Sequence, residues 1–250
     1  MSDFTPYIEE QTILGRKVKL YVDNYRSEDW YGLKGWRRKV GSDHNAQVYL
    51  ENAHARLLNL VKPGDVVFDC GANEGYISTL LAIWAGPTGK VLAFEPDPKN
   101  VELIRTNAKI NGLDNIEAIQ KAVSDIDDQE VTFGAEIIGG SPDISYNVQT
   151  TTLDKYADLK PSLVKIDVEG YELPVLRGAQ KILKQGTTLE VEMHLSKTSG
   201  VNMTTRFGFD PDDIVRMFNE LGYTMMFDGK EVHIGEAREG IIYCFRESAK

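Results

Sequence analysis

A chain of 250 residues with 42% hydrophobic side chains can fill one complete core, so a single α/β domain with a short N-terminal extension is expected and no second domain is required. Its formal charge of −10 works against nucleic acid or an anionic membrane as partner, because either needs a basic surface to displace counterions, and leaves a small molecule or carbohydrate as the expected one. No basic-then-apolar leader opens the chain, no apolar run is long enough to cross a bilayer, and Cys70 and Cys244 lie in apolar strand-like runs, all of which points to a soluble protein in a reducing cytoplasm.

Residues 7–25 alternate about Gly15 as a small hairpin, part of an N-terminal hairpin or cap extension (1–42) ahead of the main domain (43–250). Within this extension Trp30, Tyr31, Trp36, Arg37 and Arg38 are interleaved with Gly32 and Gly35. Aromatic rings beside cations suit a lid that stacks on a sugar or clamps a carboxylate, and suit equally a cap packed on the core. Ala46, Leu50, Ala53, Leu57 and Leu60 recur at helical spacing over 43–61, and Pro63-Gly64-Asp65 turns the chain into the first core strand.

That strand, 66–70, is apolar on both faces and ends at Asp69. Gly71 and Gly75 then permit a tight turn into a helix over 76–85, with the backbone close to a ligand. A second apolar strand over 90–95 closes on Glu95, twenty residues after Gly75, where a carboxylate can accept two hydrogen bonds from a ribose diol. The turn reads Gly-x-x-x-Gly. A dinucleotide site wants a glycine where the pyrophosphate passes, and Asn73 and Tyr76 stand at those places. Asp69 beside the turn suits a cationic ligand better than a doubly anionic one. The cofactor this favours is S-adenosyl-L-methionine; a nicotinamide-dependent oxidoreductase or epimerase and a catalytically silent nucleoside-binding module are the alternatives.

Strand and helix signals continue to alternate: helix 98–111, strand 115–119, strands near 163–167 and 188–194. Residues 137–152 are the most loop-like part of the core. Asp210-Pro211 caps a helix running to about 221, and 223–227 and 241–245 read as closing strands.

Asp69-Cys70-Gly71-Ala72-Asn73-Glu74-Gly75-Tyr76, then Phe94-Glu95-Pro96, Thr152-Leu153-Asp154 and Lys165-Ile166-Asp167-Val168-Glu169-Gly170, in this order, resemble the FkbM family of S-adenosylmethionine-dependent methyltransferases over roughly residues 48–195. The resemblance implies a class I methyltransferase Rossmann-like fold, a central, mostly parallel seven-stranded sheet with an antiparallel C-terminal strand and helices on both faces. It implies too that the acceptor is often a hydroxyl of a polyketide, sugar or glycan. On this pattern the turn at Asp69, Gly71, Asn73 and Gly75 would hold the methionine part, Glu95 and Pro96 the ribose, and Asp125 the adenine edge. Tyr76 either faces the ligand or starts the helix against the sheet.

Asp167 ends an apolar strand, where catalytic groups gather in open α/β sheets. Glu169 and Glu172 open a helix, a place where carboxylates are favoured whatever the function. In 188–194 Leu189, Val191 and Met193 alternate with Glu190, Glu192 and His194, so the polar face needs partners, and Lys165 on the neighbouring strand is one for Glu190 or Glu192. His194 is the expected proton acceptor, as an imidazole titrating near neutrality, with Asp167 assisting. Asp167, Glu192 and His194 together have the chemistry of a divalent-ion site, but no spacing demands one and no metal is expected. Residues 196–206, rich in Ser, Thr and Gly, are a second lid candidate.

Overall fold

The computed structural model describes residues 4–133, 145–194, 207–208, 210–236 and 240–246. The N-terminal alternation forms an antiparallel hairpin, β1 (Tyr7–Ile13) and β2 (Arg16–Val22), that buries Gln11, Ile13, Val18, Leu20 and Val22 on one face. Helices α1 (Tyr25–Tyr31), α2 (Leu33–Val40) and α3 (Asp43–Leu60) follow. The first and third start at polar caps, Asn24 accepting from Ser27 N and Ser42 from Asn45 N. The aromatic stretch over 30–38 is helical and docked: Trp36 stacks on Tyr49 at 3.9 Å between ring centres, and its Nε1 donates to Trp30 O at 2.9 Å. Arg38 bridges Glu28 and Asp29.

The remaining elements are β3 (Val66–Cys70), α4 (Tyr76–Ala85), β4 (Lys90–Phe94), α5 (Pro98–Asn111) and β5 (Ile116–Ile119), then three short strands, β6 (Ala122–Val123), β7 (Glu130–Phe133) and β8 (Tyr146–Thr151). After a 3₁₀ turn over Leu153–Leu159 come β9 (Leu163–Ile166), α6 (Glu172–Arg177), α7 (Gln180–Lys184), β10 (Thr188–Met193), α8 (Pro211–Glu220), β11 (Tyr223–Phe227), β12 (Lys230–Glu231) and β13 (Gly240–Arg246). The main sheet runs β12-β11-β13-β10-β9-β3-β4-β5, parallel from β10 to β5, with β13 antiparallel to both its neighbours. This is the seven-stranded class I arrangement with one addition, the two-residue edge strand β12, which folds back on β11 through Asp228 and Gly229.

Residue parity along the strands builds two cores. Val67, Val91 and Leu163 face α3, α4 and the hairpin, while Phe68, Leu92 and Val164 face α6, α7 and α8. Each such side chain is wholly or almost wholly buried, worth roughly 1.5–3 kcal/mol apiece, which is why the strands read as unbroken apolar runs. Helix α4 is apolar nearly all round, with Leu80, Leu81, Ala82 and Ala85 all inaccessible, because it is held between sheet and hairpin. The hairpin therefore shares a core with the main domain.

The stretch expected to be loop-like is partly a strand: β8 lies between β6 and β7 in a separate three-stranded sheet, parallel to one and antiparallel to the other. Strand order reverses between β3 and β9. A crevice at the carboxyl ends of the strands follows from that reversal, and the candidate residues collect there.

Candidate active site

The turn after β3 is held from three sides. Gly71 N and Ala72 N both donate to Phe94 O, at 3.0 and 3.1 Å, and Asp167 N donates to Cys70 O at 3.0 Å. Gly71, Asn73 and Gly75 all have left-handed backbone, with φ of 79°, 50° and 81°. Where a Cβ would stand on Gly71 or Gly75, protein already lies close by. A methyl on Gly71 would come within 1.8 Å of Asp167 O, and one on Gly75 within 2.8 Å of Ile104 Cα. The glycine spacing thus records how closely the turn, β9 and α5 approach one another.

Asp69 is completely buried; its Oδ2 accepts from Ser78 Oγ at 2.6 Å and its Oδ1 lies 3.8 Å from Lys165 Nζ, so its charge is met by protein. Burial raises its pKa against the opposing pull of Lys165 and Ser78. Tyr76 is buried too, stacked on Tyr31 at 4.8 Å and edge-on to His54 at 5.2 Å, its hydroxyl 3.4 Å from Gln11 Oε1. Of its two readings, packing is the one seen. His54 is pushed down to about 4 by burial and by Lys165, leaving a neutral imidazole beneath the turn.

Glu95 closes β4 at 6% exposure. Its Oε2 accepts from Asn73 N at 2.8 Å, and its Oε1 from Asp97 N at 3.0 Å and Asn100 Nδ2 at 3.3 Å. Burial pushes its carboxyl up to about 7 although all three donors favour the charged form. Pro96 is half-buried beside it, and Asp97 caps α5 by accepting from Lys99 N at 2.7 Å. Asp125 is exposed, with Ser124 Oγ donating to it at 3.2 Å, and no described contact joins it to Glu95. Tyr146 of β8, stacked on Phe133 at 6.0 Å, was not singled out in the sequence; burial, then Asp97 and Glu95, raise its phenol, which places it beside the acidic strand end.

The N-terminal cap is joined to the turn by polar contacts that the sequence did not reveal. Glu74, 7% exposed, accepts from Asn24 Nδ2 at 3.0 Å and from Ser27 Oγ, and Asn73 Nδ2 donates to Tyr31 OH at 2.9 Å. Glu74→Ala would leave those donors without their acceptor and is expected to lower stability by about 1–3 kcal/mol. Urea unfolding reads this directly, and an unchanged midpoint would show that the cap docks by other contacts.

Across the crevice, Lys165 (6% exposed) lies 3.0 Å from Asp167 Oδ2. The ion pair expected with Glu190 or Glu192 is therefore made chiefly with an aspartate. Glu190 does sit opposite Lys165 on β10, but Tyr243 donates to it and burial pushes it up to about 7. His194 is ringed by four carboxylates: its Nδ1 is 2.8 Å from Glu172 Oε1, and its Nε2 is 3.5 Å from Glu169, 3.7 Å from Asp167 and 4.0 Å from Glu192. Burial opposes the imidazolium, yet the Glu172 hydrogen bond and the carboxylates outweigh it and push His194 up to about 9, not the near-neutral value assumed from sequence.

Glu172 does open α6, as the helix-end account expects, but Glu169 lies outside the helix, and both turn to His194. Glu169 precedes α6 in left-handed backbone (φ 54°) and faces His194, while Glu172, wholly buried, accepts from Gly170 N at 2.9 Å and from His194. The ligand atoms of Asp167, Glu192 and His194 all lie within 4.8 Å of one another. The second lid candidate, 196–206, lies outside the described residues.

A family model described as the methyltransferase FkbM domain matches residues 69–225. The hexuronic acid methyltransferase AglP of Haloferax volcanii is 26% identical over 174 residues, 66% of this chain and 65% of that protein, so the chain matches just under two thirds of its length. A protein-L-isoaspartate O-methyltransferase of Aeropyrum pernix is 33% identical over 86 residues, 34% of this chain and 33% of its own. Among solved structures, one described as a putative rRNA-methylase from Clostridium thermocellum superposes with a TM-score of 0.53 at 16% identity, covering 80% of this chain and 96% of that one. The last similarity speaks for the fold alone.

Proposed function

The chain belongs to the FkbM methyltransferase family, and from that premise we propose that it moves a methyl group from S-adenosyl-L-methionine to a hydroxyl oxygen of a small-molecule or carbohydrate acceptor, with sugar acids and glycans bearing them as the favoured class. The observation that carries this reading is the adjacency of two acidic strand ends. Glu95 meets the Asn73 amide on one side of the turn, and Gly71 packs against the carbonyl of Asp167 on the other. A nucleoside held at the first would have its reacting end beside the second. The nicotinamide alternative is not favoured by the family match, and turnover separates an enzyme from a silent module.

When bound, the cofactor supplies a methyl group on a positively charged sulfur, already a strong electrophile. The residues present suit such a group: a buried carboxyl at Glu95, with a pKa of about 7, gains from donors that favour its charge, and the carboxylates around His194 offer negative charge to a sulfonium. Glu95 and Pro96 would hold the ribose, the 71–75 turn the amino-acid end, and Asp125 the adenine edge. With the cofactor bound, Asp167 would orient the acceptor O–H and His194 would receive its proton in the neutral form that a pKa of about 9 makes scarce near pH 7, the C–S bond giving way to a C–O bond with its electron pair left on sulfur. Positioning supplies most of the acceleration. Among the described residues no helix is long and apolar enough to cross a membrane; a cytoplasmic site of action, which rests on the two free buried cysteines, and the absence of a nucleic-acid partner, which rests on the acidic composition, are parts of this proposal.

Titration calorimetry with S-adenosylmethionine, S-adenosylhomocysteine and NAD⁺ tests the cofactor: micromolar binding of the two sulfur nucleosides is expected, and binding of NAD⁺ alone would overturn the reading. Methyl transfer to uronate-containing oligosaccharides tests the acceptor. A product stable to mild alkali is the expected ether; one that releases its methyl group there is a carboxyl ester and removes the hydroxyl assignment.

A further inference from the structure

Four carboxylates surround one imidazole at the crevice, and a single positive charge does not balance them. Lys165 pairs with one of the four, Asp167, at 3.0 Å and also meets buried Asp69, and Arg26 acts on Glu169, yet carboxylates still outnumber cations here. Glu172 is completely buried, and its Oε2 has no hydrogen-bond partner among the described residues. We propose that Asp167, Glu192 and His194 bind a divalent cation, with Glu172 as the positioning residue that holds the imidazole for it.

Distances decide between a hydrogen-bonded cluster and a cation site. From Nε2 to the Asp167 and Glu192 oxygens is 3.7 and 4.0 Å, beyond hydrogen-bond range. Around an ion with ligands at about 2.1 Å, neighbouring ligand atoms stand roughly 3 Å apart and opposite ones roughly 4.2 Å. The two spacings from Nε2 fall between these limits and all three ligand atoms lie within 4.8 Å of one another, so a contraction of the three side chains closes the site. Nδ1 is committed to Glu172 Oε1 at 2.8 Å, which fixes the ring and leaves Nε2 toward Asp167, Glu169 and Glu192, the arrangement in which a carboxylate behind a histidine orients it for a metal. One imidazole with two carboxylates suits a hard to borderline ion such as Mn²⁺.

The ion deepens the proposed function, and its part in catalysis rests on that reading. A sugar acid approaching Asp167, Glu169 and Glu192 meets charge of its own sign. With a divalent ion between them the repulsion becomes attraction, and three protein ligands leave positions for acceptor oxygens, whose hydroxyl proton is then more easily lost, to Glu169 or solvent in place of His194, both of whose nitrogens are engaged.

The test is Mn²⁺ titration of the full chain, freed of metal by a chelator, followed by electron paramagnetic resonance, with S-adenosylhomocysteine affinity measured in parallel. One ion per chain is expected. Glu192→Gln and His194→Gln should each weaken it at least about tenfold, and Glu172→Gln by about 10- to 100-fold, the range seen when the group behind a metal-binding histidine is removed. Matching near-UV circular dichroism shows each variant folded; since Glu172 is buried and its loss also bears on folding, the half-exposed Glu192 decides. A chain that binds the nucleoside but not Mn²⁺, or Mn²⁺ affinity untouched in folded Glu192→Gln and His194→Gln, overturns the ion site and leaves the methyltransferase reading standing. Binding of Mn²⁺ without the nucleoside supports the ion site and removes its proposed role in methyl transfer.

Discussion

Gly71→Ala is expected to lower stability by about 3 kcal/mol or more and to abolish nucleoside binding. Two effects add at this position. Left-handed backbone costs an L-residue roughly 1–2 kcal/mol, and the new methyl would lie 1.8 Å from the carbonyl oxygen of Asp167, a backbone atom that no side-chain rotation can move aside. Gly15 separates the two effects. It has the same φ of 79°, in the β1–β2 turn, and nothing stands within 4 Å of its missing Cβ, so Gly15→Ala should show the backbone cost alone, about 1 kcal/mol. Urea unfolding of both variants gives the difference. If Gly71→Ala is no more destabilised than Gly15→Ala, the close approach of the turn to β9 does not constrain this fold. The loss of binding follows from the same contact, because relieving the clash must move either the turn or Asp167.

The glycine example shows what is legible in a sequence and what is not. Positions 71 and 75 announced a tight turn, because few other residues accept such backbone, and the unbroken apolar strands announced a sheet covered on both faces. Period and punctuation carry that kind of information. They do not say what fills the space beside a glycine, and here Asp167 and Ile104 fill it. Tyr76 and Glu74 lie inside the same motif, yet their partners, Tyr31, Gln11, Asn24 and Ser27, come from the N-terminal cap some fifty residues away, a contact no local pattern encodes. His194 was found from its place at a strand end, but its charge state depends on Glu172 and Glu169, which local helix rules had assigned to the helix terminus. The short strands β6 to β8 went unread for a related reason: two- to six-residue strands that pair with one another across a polar, proline- and glycine-containing stretch leave little periodicity. Motifs therefore picked out the candidate site, and tertiary packing decided which of their side chains are buried against protein.

Glu95→Gln is expected to weaken S-adenosylhomocysteine binding by roughly a hundredfold, since charge-assisted hydrogen bonds contribute about 1.5–3 kcal/mol and every 1.4 kcal/mol is a factor of ten. The substitution keeps the side chain's shape but turns one of its two accepting oxygens into a donor, so charge and one acceptor are lost together. Stability should lose its pH dependence at this carboxyl. The folded-state pKa of about 7 exceeds the ordinary 4.5, so between those values the unfolded chain binds fewer protons and folding becomes less favourable as pH rises; the glutamine escapes that penalty. A ribose diol donating to the carboxylate favours the deprotonated form, so binding releases a proton below about pH 7, and affinity should rise up to tenfold per pH unit there and level off above it. Asp97 on the adjoining turn and Tyr146 from β8 flank the group, and the phenol, raised by burial, stays protonated throughout this window. Calorimetry from about pH 5.5 to 8.5 in the parent and in Glu95→Gln makes the comparison, with the variant expected to show a flat profile. A parent whose affinity does not change over that range would mean that Glu95 does not meet the nucleoside as a carboxylate. Because the pH slope belongs to one carboxyl at the end of β4, its disappearance in a variant that is still folded ties the cofactor to this strand end without any knowledge of the acceptor.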